Sequence, residues 1–124
     1  MKNLLTFTAI IEFGTGLLLL VFPSILTMLL FGSSLDTPVA VTIARVAGIA
    51  LIGLAVACRF ARNDAKSNAA KGLVIAMALY NLAIPILLVY AALGLQISGI
   101  GLWPVVMVHL AMLAWSILSL LDKS

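Results

Sequence analysis

Arg59-Phe60-Ala61-Arg62-Asn63-Asp64-Ala65-Lys66-Ser67-Asn68-Ala69-Ala70-Lys71 is the only clearly polar connection in this chain. It holds four of the seven Lys and Arg side chains and separates an apolar run over 38–60 from another over 69–93. A third apolar run covers 4–22 and a fourth covers 102–121. At about 1.5 Å per helical residue, each run is long enough to cross roughly 30 Å of hydrocarbon. Lys2 and Lys123 fall on the same side as the polar connection, whereas residues 32–37 and 94–101 contain no Lys or Arg. Lys and Arg favour the cytoplasmic side of a membrane, so the pattern predicts four spans with both termini cytoplasmic.

Composition agrees. The chain has 124 residues, 65% hydrophobic and only 9% charged, against about a quarter charged in soluble domains. Its mean hydropathy is +1.30. Four crossings leave no length for a second domain, so residues 1–124 are expected to form one all-α, antiparallel four-helix transmembrane bundle. The net charge of +3 reflects one basic rim. Its expected partner is the lipid bilayer, with anionic lipid at the cytoplasmic rim and no nucleic acid. A homo-oligomer or a larger membrane complex is compatible with the same pattern. The N-terminal run imitates a signal peptide, but Glu12 interrupts it and no small-x-small cleavage pattern follows, so it is expected to be retained. Cys58 has no second cysteine to pair with. Packing near a helix end is the expected role, with acylation or reactivity as the alternative.

Helix punctuation is local. Pro23 should break or bend the first helix, leaving 24–31 as a helical extension in the outer interface that Gly32 ends. Thr37-Pro38 supplies a side-chain cap and a proline at the first helical position. Ser67 or Asn68 should cap the third span, and Trp103-Pro104 should open the fourth, with Trp103 at headgroup level. Pro85 cannot donate to the carbonyl of Asn81, leaving that carbonyl beside its own carboxamide. Ala40, Ala44 and Gly48 form a stripe of small residues suited to close helix approach.

Each span carries one strongly polar side chain: Glu12, Arg45, Asn81 and His109. From the cytoplasmic edge their depths are about 12 Å for Glu12, about 18 Å for Asn81 and His109, and about 22 Å for Arg45. A charged side chain there costs about 2.5–3.5 kcal/mol on insertion scales, so all four are expected to face the bundle interior. Thr15 shares a helical face with Glu12, Thr42 with Arg45, and Ser116 with His109. With Tyr80 and Trp103 these make the supporting residues. The expected arrangement is a network in which Glu12 accepts from His109 or Arg45 and Asn81 bridges. His109 is the easier partner, because Arg45 leans toward the outer end of its helix.

Ionisable groups within spans mark binding sites by default, but a satisfied network can also simply set helix order. The sequence therefore predicts a small membrane binding or accessory subunit whose cluster holds a small polar or anionic group or stabilises the bundle, and leaves enzymatic activity open. A transporter or channel subunit with a proton-carrying Glu12 or His109 is the first alternative. A redox component with haem b or quinone at His109 is the second, although only Met107 and Met112 offer themselves as a further axial ligand. No cofactor and no metal are expected, and no Gly-rich phosphate loop, Cys pair, nucleophile elbow or HExxH occurs.

Ala44-Arg45-Val46-Ala47-Gly48-Ile49-Ala50-Leu51, Tyr80-Asn81-Leu82, and Leu102-Trp103-Pro104 with His109 five residues on form a pattern over most of the chain. Glu12 with Gly14 and Gly16, and Pro23-Ser24 with Phe31-Gly32, extend it. The pattern resembles an uncharacterised family of small bacterial four-span membrane proteins and, in size and span number only, DoxX-like proteins. That resemblance implies the bacterial cytoplasmic membrane as location and brings no known activity.

Overall fold

The computed structural model describes residues 1–122; Lys123, counted above with the basic rim, lies outside the described residues. Five α-helices follow in order: α1 Lys2–Val21, α2 Pro23–Phe31, α3 Pro38–Ala61, α4 Asn68–Leu93 and α5 Leu102–Leu121. A 3-10 turn at Arg62–Asp64 joins α3 to α4. There is no strand among the described residues. All except α2 are long and apolar enough to cross a membrane, so the chain is an all-α bundle with the makeup of a multi-pass membrane protein.

Helix ends follow from their residues. The Thr37 hydroxyl accepts from the Ala40 amide at 3.1 Å, and Ser67 does the same for Ala70 at 3.1 Å. Each cap satisfies an amide that no helical carbonyl reaches. Pro38 is the first residue of α3, where its missing N–H costs nothing. Pro23 ends α1 and starts α2, and Gly32 stops α2 in the left-handed region at φ 71°. Pro85 is buried within α4, which continues through it.

Two antiparallel pairs make the bundle, α1 on α3 and α4 on α5, and contact between the pairs is sparser. The first pair crosses backbone to backbone. A Cβ on Gly48 would lie 2.6 Å from the Gly16 carbonyl oxygen, and one on Gly16 would lie 2.7 Å from that of Gly48. Only hydrogen fits there, so the small-residue stripe on α3 meets its partner at Gly48.

Two apolar cores lie at different heights, and only the first joins the two pairs. Leu4, Leu5, Cys58, Val74, Met77 and Met112 belong to the first, which draws on all four long helices. Cys58 is 0% exposed and packs there, with no access to acyl transfer or oxidants. Leu88, Leu102 and Val106 form the other, with Phe31 of α2 against it. Met1, Lys2, Arg62, Lys66 and Lys71 border a common hollow at one end of the bundle, its basic pole. At the opposite pole the loop after α4 is tied to α2. Gly99 N–H donates to the Leu30 carbonyl and Gly101 N–H to that of Leu29, both at 2.8 Å. These bonds satisfy carbonyls that the end of α2 leaves unpaired.

The exterior is apolar, with Ile10, Val39, Ile43, Ile75, Leu79 and Met107 each more than half exposed. A soluble monomer does not present such a surface. In lipid it is the ordinary one.

Candidate functional site

Between the two apolar cores lies a cavity of about 320 Å³. α1 contributes Thr8, Glu12 and Thr15; α4 contributes Tyr80 and Asn81; α5 contributes His109. Leu26, Leu30 and Phe31 of α2 border it as well, and most of the remaining lining is aliphatic. Its polar groups come from three helices of both pairs, so the site exists only where the pairs meet.

The best-defined contact joins α4 to α5. His109 Nδ1 and Asn81 Oδ1 are 2.7 Å apart. Asn81 Nδ2 donates to the Met77 carbonyl at 2.8 Å, which fixes the amide orientation and makes Oδ1 the acceptor. His109 Nδ1 therefore carries the proton. In the neutral imidazole this leaves Nε2 as the acceptor, the tautomer that binding histidines adopt when a carbonyl holds their other nitrogen. The Tyr80 ring meets the imidazole edge-on, with centroids 5.5 Å apart and planes at 67°, which fixes its tilt.

Glu12 differs. It is only 6% exposed, yet no hydrogen bond or ion pair holds its carboxyl among the described residues. The expected bond to His109 is not formed, because Asn81 occupies Nδ1. A polar group withdrawn from water without a partner costs about 1–3 kcal/mol, more when charged. Glu12 is thus a buried acid facing a largely apolar cavity with its bonding capacity unused.

Arg45 corrects the expected cluster. It is exposed on the outer face of α3 and does not border the cavity, so the anticipated Glu12–Arg45 contact does not exist. Thr42 is exposed beside it and donates to the Pro38 carbonyl at 2.8 Å. The reason is angular. Thr42 and Arg45 share a face, but an i+3 row drifts by about 60° per step, so a row through 42, 45 and 48 leaves Thr42 and Gly48 about 120° apart. Gly48 takes the contact with α1, and Thr42 and Arg45 turn outward.

Two supporting residues also lie elsewhere. Ser116 is 0% exposed and donates to the Met112 carbonyl at 2.8 Å, so it is satisfied within α5. Trp103 is 47% exposed at the start of α5. For haem, the residues do not fit a two-ligand site. Met107 is 65% exposed, and Met112 borders the cavity from the same helix as His109, three residues on. Neighbours on one helical face cannot approach a metal from opposite sides.

The structure adds what sequence reasoning missed, the wall supplied by α2. Pro23 signalled the break, but no local pattern states which cavity a nine-residue apolar helix will cover. Comparison with protein-family models, with curated proteins and with solved structures finds no match to this chain.

Proposed function

We propose that this is a small integral membrane protein of the bacterial cytoplasmic membrane, both termini inside, acting as a binding or accessory component. Its central cavity takes a small, mainly apolar molecule that bears a hydrogen-bonding head. Glu12 carries the proposal, as a nearly buried carboxyl bordering the cavity with no partner among the described residues. An occupant that offers a hydroxyl, amide or amine proton to this carboxyl removes the cost of leaving it unbonded. His109, oriented by Asn81 and Tyr80, supplies a second bonding group from the other helix pair. With Arg45 outside, no Lys or Arg among the described residues borders the cavity, so a polar donor suits the site better than an anionic group. A volume of about 320 Å³ lies at the small end of ligand pockets and suits a short-chain molecule or one of up to about three fused rings.

The fluorescent aromatic amine 1-aminoanthracene tests this in detergent-solubilised protein, with protein-free micelles subtracted. The wild type is expected to show a saturable rise in emission. Glu12→Leu is expected to weaken binding by about tenfold, the worth of one hydrogen bond to a buried polar group. Thr15→Phe, which fills the cavity, is expected to abolish it. No saturable component in the wild type, or binding indifferent to both changes, sinks the proposal.

A further inference from the structure

A second recess lies on the outside of the bundle, and it differs from the central cavity in both place and chemistry. It is a groove of about 590 Å³ between α1 and α3, running from the basic pole toward mid-height. Phe13 and Gly14 of α1 and Ala55 and Val56 of α3 border its deep end, and Arg59 and Arg62 stand at its mouth. Gly14 has nothing within 4 Å of where a Cβ would be, so the groove passes over bare backbone there. From Thr6 to Gly14 it follows α1 for about 12 Å, within one leaflet.

The two arginines are not neutralised from within the groove. No acidic residue among those described borders it. The Nε of Arg62 is buried without a hydrogen-bond partner among the described residues, while the residue as a whole is only half-buried, so its guanidinium has donors left to satisfy. An apolar trough with two guanidinium groups at its headgroup end has the complementary shape and charge of one lipid molecule.

We propose that this groove is a specific site for an anionic phospholipid. The phosphodiester lies between Arg59 and Arg62, accepting from their guanidinium groups, and one acyl chain lies along Gly14 and Ala55. Arginine suits the task because its planar fork matches phosphate oxygens, whereas lysine offers a point charge. The proposal needs the chain to span a membrane but does not involve Glu12, His109 or the central cavity, so it stands or falls separately from the function proposed above.

Native mass spectrometry of the detergent-solubilised full chain decides it, using added phosphatidylglycerol and phosphatidylcholine of identical acyl chains, with helical content checked by circular dichroism. The wild type is expected to retain one phosphatidylglycerol in preference to phosphatidylcholine. Arg59→Gln with Arg62→Gln is expected to weaken that adduct by about thirtyfold, the effect of two basic contacts at the membrane surface. Gly14→Leu keeps every charge and should fold, since its Cβ meets nothing, yet it fills the trough and is expected to remove the adduct. Lys66→Gln with Lys71→Gln lowers the charge of the same pole outside the groove and is expected to have a much smaller effect. If the lysine pair costs as much as the arginine pair, the attraction is a diffuse property of the pole and the proposal is overturned. Gly14→Leu binding like the wild type overturns it too.

Discussion

Asn81 is held by two bonds and holds one neighbour, which makes it the residue whose loss is easiest to interpret. Asn81→Leu removes the acceptor for His109 Nδ1 and leaves a buried N–H unsatisfied. The expected cost is about 1–3 kcal/mol, read from reversible unfolding in mixed micelles. Adding His109→Leu removes the orphaned donor, so the double variant should be more stable than the sum of the single losses, with a coupling of about 0.5–3 kcal/mol. Strict additivity would mean that the 2.7 Å contact contributes nothing. Arg45 leads to the opposite expectation. It lies outside the cavity, and since helical side chains lean toward the start of their helix, its guanidinium is expected to snorkel to the headgroups of the leaflet opposite the basic pole. Arg45→Met should leave 1-aminoanthracene binding unchanged, and a lost signal in a folded variant would return Arg45 to the site. That Glu12, Asn81 and His109 meet at one cavity was legible from the sequence, because height along the bundle counts residues along a helix. Which way Arg45 points was not, because that depends on whether the row at 42, 45 and 48 or the row at 40, 44 and 48 wins the contact with α1.

At the scale of elements, the crossing of α1 and α3 sets the shape of everything beside it. Gly48→Val pushes a branched side chain against the Gly16 carbonyl and the Leu20 amide, both less than 3 Å from the first added carbon. Such overpacking costs about 1–3 kcal/mol or more, and the pair must splay to relieve it. Gly53→Ala on the same helix meets nothing within 4 Å and should be neutral or stabilising by up to about 1 kcal/mol, since alanine is the better helix former. Thermal unfolding of the two variants separates crowding at the crossing from a general effect of glycine replacement; equal behaviour would show that the crossing is not tight. Helix ends could be read from the chain, because Thr37 with Pro38, Ser67 and Gly32 act on their immediate neighbours. The placement of α2 against the cavity could not. It depends on the bonds from Gly99 and Gly101 to Leu30 and Leu29, about seventy residues away along the chain, which no local pattern encodes.

For the whole molecule, the distribution of charge is what makes one orientation preferable to its inverse. Lys2, Arg62, Lys66 and Lys71 gather at one pole with Arg59 close by, and the loops at the other pole contain no Lys or Arg. Asp64 also lies in the basic connection, but the orientation rule counts Lys and Arg and gives acidic residues little weight. The basic pole is therefore expected to face the cytoplasm, where each cation near anionic lipid contributes about 1 kcal/mol. Single cysteines placed by design check this in intact cells. Ser33 and Asn63 are exposed at opposite poles, and the native Cys58, at 0% exposure within the core, gives no background. Ser33→Cys should react with a membrane-impermeant maleimide, and Asn63→Cys should react only after the membrane is opened. The reverse pattern would invert the bundle and place the arginine-headed groove in the outer leaflet.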